Sequence, residues 1–493
     1  MTLETFLASR KMVFALLLLA TFVVFGNTFQ NEWTYDDFPV VVDNPDIRSL
    51  ENFSKDTYKG RPLRELSYML DYKLFGDNPA GYRLQQNLWH AANGCLLFMV
   101  MSILGVAPGY ALLGVLFFLF HPIQTESVAS IGHRKELLPL FFCFLIVLAY
   151  AKSFTVSSVQ RWLLWLGCFV SYGLVILGNV TAFSLLLVLP IYELLYVDKR
   201  QRFLTRYPAL FWLVFISLVV VGGVLYTQKY DFQEALLRTY ASNGYAGTKG
   251  YLPMLMVALK APVLYLGKIL YPVSLAPEYV VDYSENLLQW GSVVGGFLLM
   301  CLATVFWLCR KTLPALSFAT AWCCVLYFPV ANLLPFYSYS MADRYLYMVL
   351  PGIGIGGAIL LQTIGSRRLN YLFVAGLMVL SLLTIVQNTY WRDSYSLWSH
   401  AAAVNPKSIG ALWSLGKVHL RAGELTDAKK AFNKVLDLDR FHVHAYLELA
   451  KIHELEGNHS EAKKNYEFFV RYGQYGFPAE AAKIKAYLRY KFR

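Results

Sequence analysis

The chain is predicted to be all-α, a polytopic membrane helical bundle followed by a short α-solenoid of helical repeats. Three observations predict this. Of 493 residues, 57% are hydrophobic and 15% charged, well above the roughly 45–50% apolar content of a soluble domain. Charge is uneven: the 104 residues from Tyr390 onward hold 28 Asp, Glu, Lys and Arg, against 48 in the preceding 389. That charged tail also repeats itself every 34 residues. The composition excludes a plain cytosolic enzyme. The 34 Phe, 34 Tyr and 11 Trp exclude a chain that stays unfolded, because so much buriable surface drives collapse.

Apolar stretches of about 15–20 residues suffice to cross a hydrocarbon core of ~30 Å at 1.5 Å per residue. They fall at about 12–28, 84–104, 108–120, 136–151, 161–178, 182–197, 208–226, 290–309, 314–333, 345–364 and 370–388, about eleven spans. A further apolar segment, 251–271, carries Lys260 and Lys268 and is flanked by proline and aromatic residues, which suits a helix lying in the interface better than a span. Arg10 and Lys11 precede an apolar run without a small-residue cleavage site, so the first segment reads as a retained helix.

Orientation follows from the positive-inside rule. With a cytoplasmic N-terminus, the inside loops hold Arg10/Lys11, Lys152/Arg161, Lys199/Arg200/Arg202/Arg206, Arg310/Lys311 and Arg367/Arg368. An odd number of spans then places the C-terminal repeats on the extracytoplasmic side. The net charge of +12 divides into +6 in the tail and +6 before it. The second part is dominated by topology-setting loop residues, so nucleic acid is not an expected partner. All seven cysteines lie in predicted spans and act as small hydrophobes.

After residue 390 the blocks starting at Ile409 and Val443 align. Leu412, Leu415, Gly416, Ala428 and Phe432 match Tyr446, Leu449, Ala450, Ala462 and Tyr466. This is tetratricopeptide spacing, with small residues where two helices cross and large ones between. The domains are therefore 1–389 (membrane bundle, with extracytoplasmic loop 29–83) and 390–493 (repeats 409–442 and 443–476). Two units are few for a solenoid, so helices near 479–492 and 391–403 are expected to cap them.

Functional side chains concentrate on the outer face. Loop 29–83 opens with Trp33-Thr34-Tyr35-Asp36-Asp37-Phe38-Pro39. Adjacent carboxylates at a membrane boundary are costly unless paired or used; they either cap a turn or supply a base for a hydroxyl nucleophile. The loop continues through Arg61-Pro62-Leu63 and Leu66-Ser67-Tyr68. In the second span Asn87, His90 and Asn93 form one polar stripe, suited to packing against another helix. The third span ends at His121-Pro122, followed by Thr125, Glu126, Ser127, His133, Arg134 and Glu136. His121 and Glu126 with Asp36/Asp37 would make a divalent-metal set, but the residue types are generic and no metal or other cofactor is predicted. Arg344 and Tyr345 open the tenth span, placing a guanidinium where it can grip a phosphate or simply anchor the interface. Together these groups suggest chemistry on a lipid-borne phosphate ester.

Several motifs, in order along nearly the whole chain, resemble the transmembrane and tetratricopeptide-repeat O-mannosyltransferase family: Tyr35-Asp36-Asp37, the Arg61 to Tyr68 block, Gly81-Tyr82, His121-Pro122-Ile123-Gln124-Thr125-Glu126-Ser127, Asp343-Arg344-Tyr345-Leu346-Tyr347, Trp391-Arg392-Asp393 and the two repeats. The resemblance implies a GT-C fold of the bacterial type. It implies an inverting glycosyltransferase that takes mannose or a similar hexose from a polyprenyl-phosphate co-substrate to Ser or Thr of an extracytoplasmic protein. The setting would be a bacterial inner membrane, or the endoplasmic reticulum in a eukaryote. Asp36 or Asp37 would be the base, and Arg344, Arg61 and Arg134 would hold the donor phosphate. His121, Glu126, Tyr345 and Tyr68 would support the site. An acceptor protein would lie against Leu412, His419, Tyr446 and His453. Two positions depart from the family: a Ser-Lys-Glu-like triplet before the sixth span reads Gly178-Asn179-Val180, and a His after Gly-Tyr reads Arg83. The triplet keeps open a non-catalytic scaffold that recruits an envelope or pilus protein through its repeats. A transporter would need mid-membrane polar groups in several spans, and few are found.

Overall fold

A computed structural model describes residues 9–55, 61–178, 180–207, 209, 216, 252–281, 289–333 and 340–491. Every regular element among them is a helix. The chain forms two compact units, Met1–Pro277 with Val281–Arg392, and Glu278–Val280 with Asp393–Arg493.

The first unit begins with the apolar helix α1 (Arg10–Phe25). The short α2 (Leu50–Lys55) and α3 (Pro62–Phe75) follow in the loop region. Helix α3 starts on a proline, whose fixed φ suits a first turn, and stops at Gly76, which takes φ 59°. Helix α4 (Pro79–Ile103) has the same proline start behind Asn78, whose side chain accepts from Ala80 N at 3.0 Å. Helices α5 (Pro108–Phe120), α6 (Thr125–Ala129), α7 (Arg134–Ser153), α8 (Ser158–Gly178) and α9 (Val188–Tyr196) come next. After them come α10 (Leu252–Leu270), α11 (Trp290–Cys309), α12 (Pro314–Tyr327), α13 (Leu350–Ile364) and α14 (Arg367–Tyr390).

Among the described residues, five helical segments are long and apolar enough to cross a membrane: Arg10–Gln30, Ile131–Ser153, Ser158–Gly178, Trp290–Cys309 and Arg367–Tyr390. A sixth counts if Pro108–Phe120 and Pro122–Ala129, bent by 51° at Pro122, form one broken span. The protein is therefore a multi-pass membrane protein, and its described residues hold fewer full-length apolar helices than the eleven expected spans. The difference has physical causes. Ser184–Tyr196, Pro314–Val330 and Leu350–Ile364 are apolar but short, and α4 is long but carries the polar stripe. The expected span 208–226 lies outside the described residues except for 209 and 216.

The stripe on α4 is internal. The Asn93 amide donates to Leu137 O at 3.1 Å and to the Tyr347 hydroxyl at 3.1 Å. His90 Nδ1 lies 2.9 Å from the same hydroxyl, and the Asn87 amide reaches Phe25 O at 3.5 Å. Without water in the bilayer core these bonds take the place of hydration and bind α1, α7 and the 345–347 segment to α4. Helices α5 and α13 meet through glycine: a Cβ on Gly354 would stand 2.6 Å from Gly114 O, and one on Gly114 2.5 Å from Gly354 O.

The second unit comprises α15 (Ser394–Val404), α16 (Ile409–Arg421), α17 (Leu425–Leu438), α18 (Val443–Leu455), α19 (His459–Gly473) and α20 (Pro478–Lys491). Gly416 lets the Phe432 ring approach to 2.8 Å from where its Cβ would be, and Ala428, Ala450 and Ala462 are fully buried at the other crossings. Ala402 from α15 packs against Leu412, Val435 and Ala445 at one end. Ile484 and Leu488 from α20 cover Phe469 and Tyr466 at the other.

Replacing Gly354 by leucine should drive a side chain into the backbone of α5 and destabilise the protein by about 1–3 kcal/mol, lowering its melting temperature in detergent. Gly357→Leu, where nothing lies within 4 Å, should leave melting unchanged. Equal melting of the two variants would show that α5 and α13 are not in contact.

Candidate active site

The site is built on the turn that follows α1. Asp37 N donates to Thr34 O at 2.9 Å, and the Asp37 carboxylate accepts from Thr34 N at 3.2 Å, the local capping that favours Asp in turns. Tyr35 between them has φ 49°, a left-handed conformation that costs a non-glycine residue about 1–3 kcal/mol and persists only where surroundings enforce it. Here its ring is held between His133, 5.7 Å away, and Trp391, 6.4 Å away.

The strained turn separates two adjacent carboxylates into different environments. Asp37 is sealed: beyond Thr34 N it accepts from Ser130 Oγ at 3.1 Å and Gly132 N at 2.8 Å, and Arg83 Nη2 lies 3.7 Å away. Arg83 itself donates to Asn31 O at 3.2 Å and to the Ala129 and Glu32 carbonyls. Burial pushes the Asp37 carboxyl up to about 6, against the opposing pull of Arg83 and its hydrogen-bond donors.

Asp36 keeps its side chain 31% exposed. Its Oδ2 is 3.2 Å from His133 Nε2 and 3.7 Å from Lys135 Nζ. Burial alone would raise its pKa, but the His133 bond and the charges of Lys135 and Arg344 outweigh it and hold Asp36 well below the usual carboxylate range. Asp36 can lie against the 131–133 turn only because residue 132 is glycine, since a Cβ there would stand 2.7 Å from Asp36 Cβ. Beyond His133, Glu126 Oε1 lies 3.9 Å from the imidazole. Glu126 clamps Arg344 twice, through an ion pair to Nη1 and by accepting from the Arg344 backbone N at 2.7 Å. Arg344 Nη1 also donates to Pro277 O at 3.2 Å, and its guanidinium lies 5.1 Å from the ring of the buried Tyr345.

The other expected residues sort by whether their polar groups are already engaged. Arg61 stands beside the cluster with its guanidinium 3.5 Å from Gly178 O. Arg134, expected to hold the donor phosphate, is instead engaged within the protein. It is fully buried and its guanidinium is saturated by Asp71 at 2.6 Å, Gln86 at 2.8 Å, Ser67 at 3.2 Å and Tyr82 O at 3.1 Å. It therefore acts as a buried tie, with the Tyr68 ring 4.7 Å away. Tyr68 bonds the Ile131 carbonyl and supports the same turn. Both ring nitrogens of His121 are used, by Ile123 N at 3.2 Å and Ile269 O at 3.0 Å, so His121 is not assembled with Glu126 and Asp36/Asp37 into a metal set. Among the described residues, the His/Cys/Asp/Glu group close enough to share a cation is His419, Glu424 and Asp427 in the repeats.

In the second unit Leu412 is 5% exposed and belongs to the repeat core, because the position that packs α16 on α17 cannot also line a groove. His419 pairs with Glu424 at 2.6 Å and His453 with Glu456 at 3.5 Å. Tyr446 stacks on Phe468 at 3.8 Å. Three site residues went unselected in the sequence reading: Gly132, Lys135 and Arg83. The His133-Arg134-Lys135-Glu136 run marks the region, but spacing alone does not tell which cation of a run is saturated.

These features define a multi-pass membrane protein with a buried charged site beside the loop after its first helix, joined to a tetratricopeptide-repeat unit. A model of the Tetratricopeptide repeat family matches residues 409–442. The chain is similar to glycosyltransferases named protein O-mannosyl-transferases, the group its loop motifs resemble. It is 22% identical to Protein O-mannosyl-transferase TMTC4 of Mus musculus over 83% of this chain and 64% of that one. It is 24% identical to Protein O-mannosyl-transferase Tmtc3 of Drosophila melanogaster over 92% of this chain and 58% of that one. The chain thus spans less than two thirds of the length of these relatives. Among solved structures, ArnT from Cupriavidus metallidurans bound to undecaprenyl phosphate overlays with a TM-score of 0.41 at 16% identity, covering 89% of this chain and 80% of that one.

The Asp37 carboxyl titrates near 6 when folded, above its ordinary 3.8. Between those values the native protein keeps a proton that the unfolded chain has lost. Its contribution to stability therefore falls as pH rises through that window, by at most about 1.4 kcal/mol per pH unit, and is level above it. Denaturation of wild type and Asp37→Asn between about pH 4 and pH 7 should show this slope in the wild type and not in the variant. Parallel curves would place the carboxyl in water.

Proposed function

We propose that this protein is an inverting membrane glycosyltransferase. It moves mannose or a similar hexose from a polyprenyl-phosphate donor to a Ser or Thr hydroxyl of an extracytoplasmic protein. The observation that carries this reading is the division of labour between the paired aspartates. Asp37 is locked into the scaffold, while Asp36 is ionised, accessible and surrounded by cations. Similarity to protein O-mannosyl-transferases supports the same chemistry.

In this mechanism the acceptor hydroxyl donates its proton to Asp36 Oδ2 as its oxygen attacks the anomeric carbon. The bond from that carbon to the phosphate oxygen breaks with its electron pair, releasing polyprenyl phosphate. A base held by hydrogen bonds and positioned beside the attacking oxygen typically contributes 10²–10⁴-fold. Cationic groups near the leaving phosphate stabilise the charge that develops there. Arg344, fixed by Glu126, and Arg61 are the arginines placed to do so.

The topology goes with the mechanism. About eleven spans with a cytoplasmic N-terminus put loop 29–83 and the repeats on the extracytoplasmic face, with 1–389 as the membrane transferase and 390–493 as the tetratricopeptide domain. The repeats would present the acceptor protein, with His419, Tyr446 and His453 as the exposed or partly exposed candidates for contact. The step as written calls on no metal.

Asp36→Asn should reduce acceptor glycosylation by membrane fractions at least about 100-fold, and Asp37→Asn, once corrected for folded protein, by no more than about tenfold. Equal glycosylation by Asp36→Asn and wild type would remove the mechanism and favour the scaffold reading. Gly132→Ala, which pushes a methyl into Asp36, should lower turnover in mass-spectrometric assays of the acceptor by about 10²-fold, since a 1 Å displacement of a reacting group has that effect. Unchanged turnover would show that the contact between residues 36 and 132 does not set the geometry.

A further inference from the structure

We infer that Lys135 holds the donor's phosphate, passing its ammonium from Asp36 to the leaving group as Asp36 takes the acceptor's proton. The inference rests on the proposed transferase function and names a residue that function had not required.

It follows from pairing off the charges of the site. Arg83 lies against Asp37, Arg134 against Asp71, Arg64 against Glu65 and Arg344 against Glu126. Lys135 is different. Its side chain is 15% exposed, its one ion-pair partner is Asp36 at 3.7 Å, and it makes no hydrogen bond among the described residues. An ammonium has three protons to donate, and the partly exposed Lys135, without a hydrogen bond among the described residues, can offer them to a ligand. Arg61 and Arg344 both stand close enough to repel its charge. With Arg344 already paired to Glu126, Lys135 is the cation beside Asp36 and Glu136 that still has protons to offer an additional anion.

Lysine also suits the role by its form. It is a point charge on a flexible stem, able to swing a short distance, whereas a bidentate arginine such as Arg344 is fixed by its partner. Before reaction the pocket would hold ionised Asp36, Lys135 and a phosphodiester of one negative charge. Afterwards it would hold neutral Asp36, Lys135 and a phosphate monoester that has gained a negative charge. The ammonium therefore loses one counter-ion as the other forms. While the donor engages Lys135, the charge that keeps Asp36 weakly basic is withdrawn, so the carboxylate becomes a better base only when substrate is present.

The test uses the full chain in detergent and undecaprenyl monophosphate as the probe, titrated by thermal shift. Lys135→Met should weaken binding at least tenfold, and Lys135→Arg should restore it to within about threefold of wild type. Asp36→Asn, which removes the resting counter-ion, should tighten binding, and this gain should vanish in the double variant with Lys135→Met. Binding by Lys135→Met within twofold of wild type, with wild-type binding intact, overturns the Lys135 assignment and leaves the proposed function standing. Failure of wild type to bind the probe saturably overturns both.

Discussion

The sealed carboxylate of Asp37 is the interaction on which the rest of the site depends. It gathers Thr34 N, Ser130 Oγ, Gly132 N and the Arg83 guanidinium around one buried charge. Arg83 in turn holds carbonyls from both the first loop and the 125–130 segment. A buried charge without such partners would be expelled or neutralised. With them it welds two distant stretches of chain and forces Tyr35 into its left-handed conformation. The neighbouring carboxylate then has one direction to point, toward His133 and Lys135. Arg83 is central to this weld. Its several donors tie together carbonyls that a two-nitrogen ring could not.

The same logic governs the wider cluster. Buried arginines here are mostly internal ties to carboxylates and carbonyls, as Arg134 shows. Asp36 and Lys135 are the partly exposed charges of the cluster, and they sit together with Arg61 and Arg344 close by. A site built this way is rigid where the scaffold is dense, which suits the proposed transfer, in which charge develops on a departing phosphate.

Much of this arrangement was visible in the linear chain, and its failures are instructive. The polar stripe on α4 was legible because helical spacing places Asn87, His90 and Asn93 on one face, and a polar face inside an apolar helix must meet other helices. The 34-residue repeat was legible for the same reason of periodicity. The roles of Arg134, His121 and Leu412 were not. Each has the right residue type in the right region, yet the structure consumes its polar or apolar surface in local packing. Whether a guanidinium faces a ligand or a carboxylate depends on Asp71, 63 positions away, and no pattern in the sequence announces that pairing. Several of the expected spans are short or interrupted helices, because apolar composition measures what lipid or protein will accept. It does not measure how long each helix runs before proline or a polar group interrupts it.

By itself the sequence determined that this is a helical membrane protein with a charged repeat unit at its C-terminal end, and that reactive side chains cluster in the loop after the first helix. Composition and periodicity suffice for that, since hydrophobic length and helical repeat are local properties. Only the tertiary structure decided which aspartate is buried and which is open, which arginines are saturated, and that Gly132 and Lys135 belong to the site. Those outcomes depend on contacts between residues 46 to 218 positions apart. Desolvation and charge pairing are settled there, by what surrounds each group in space.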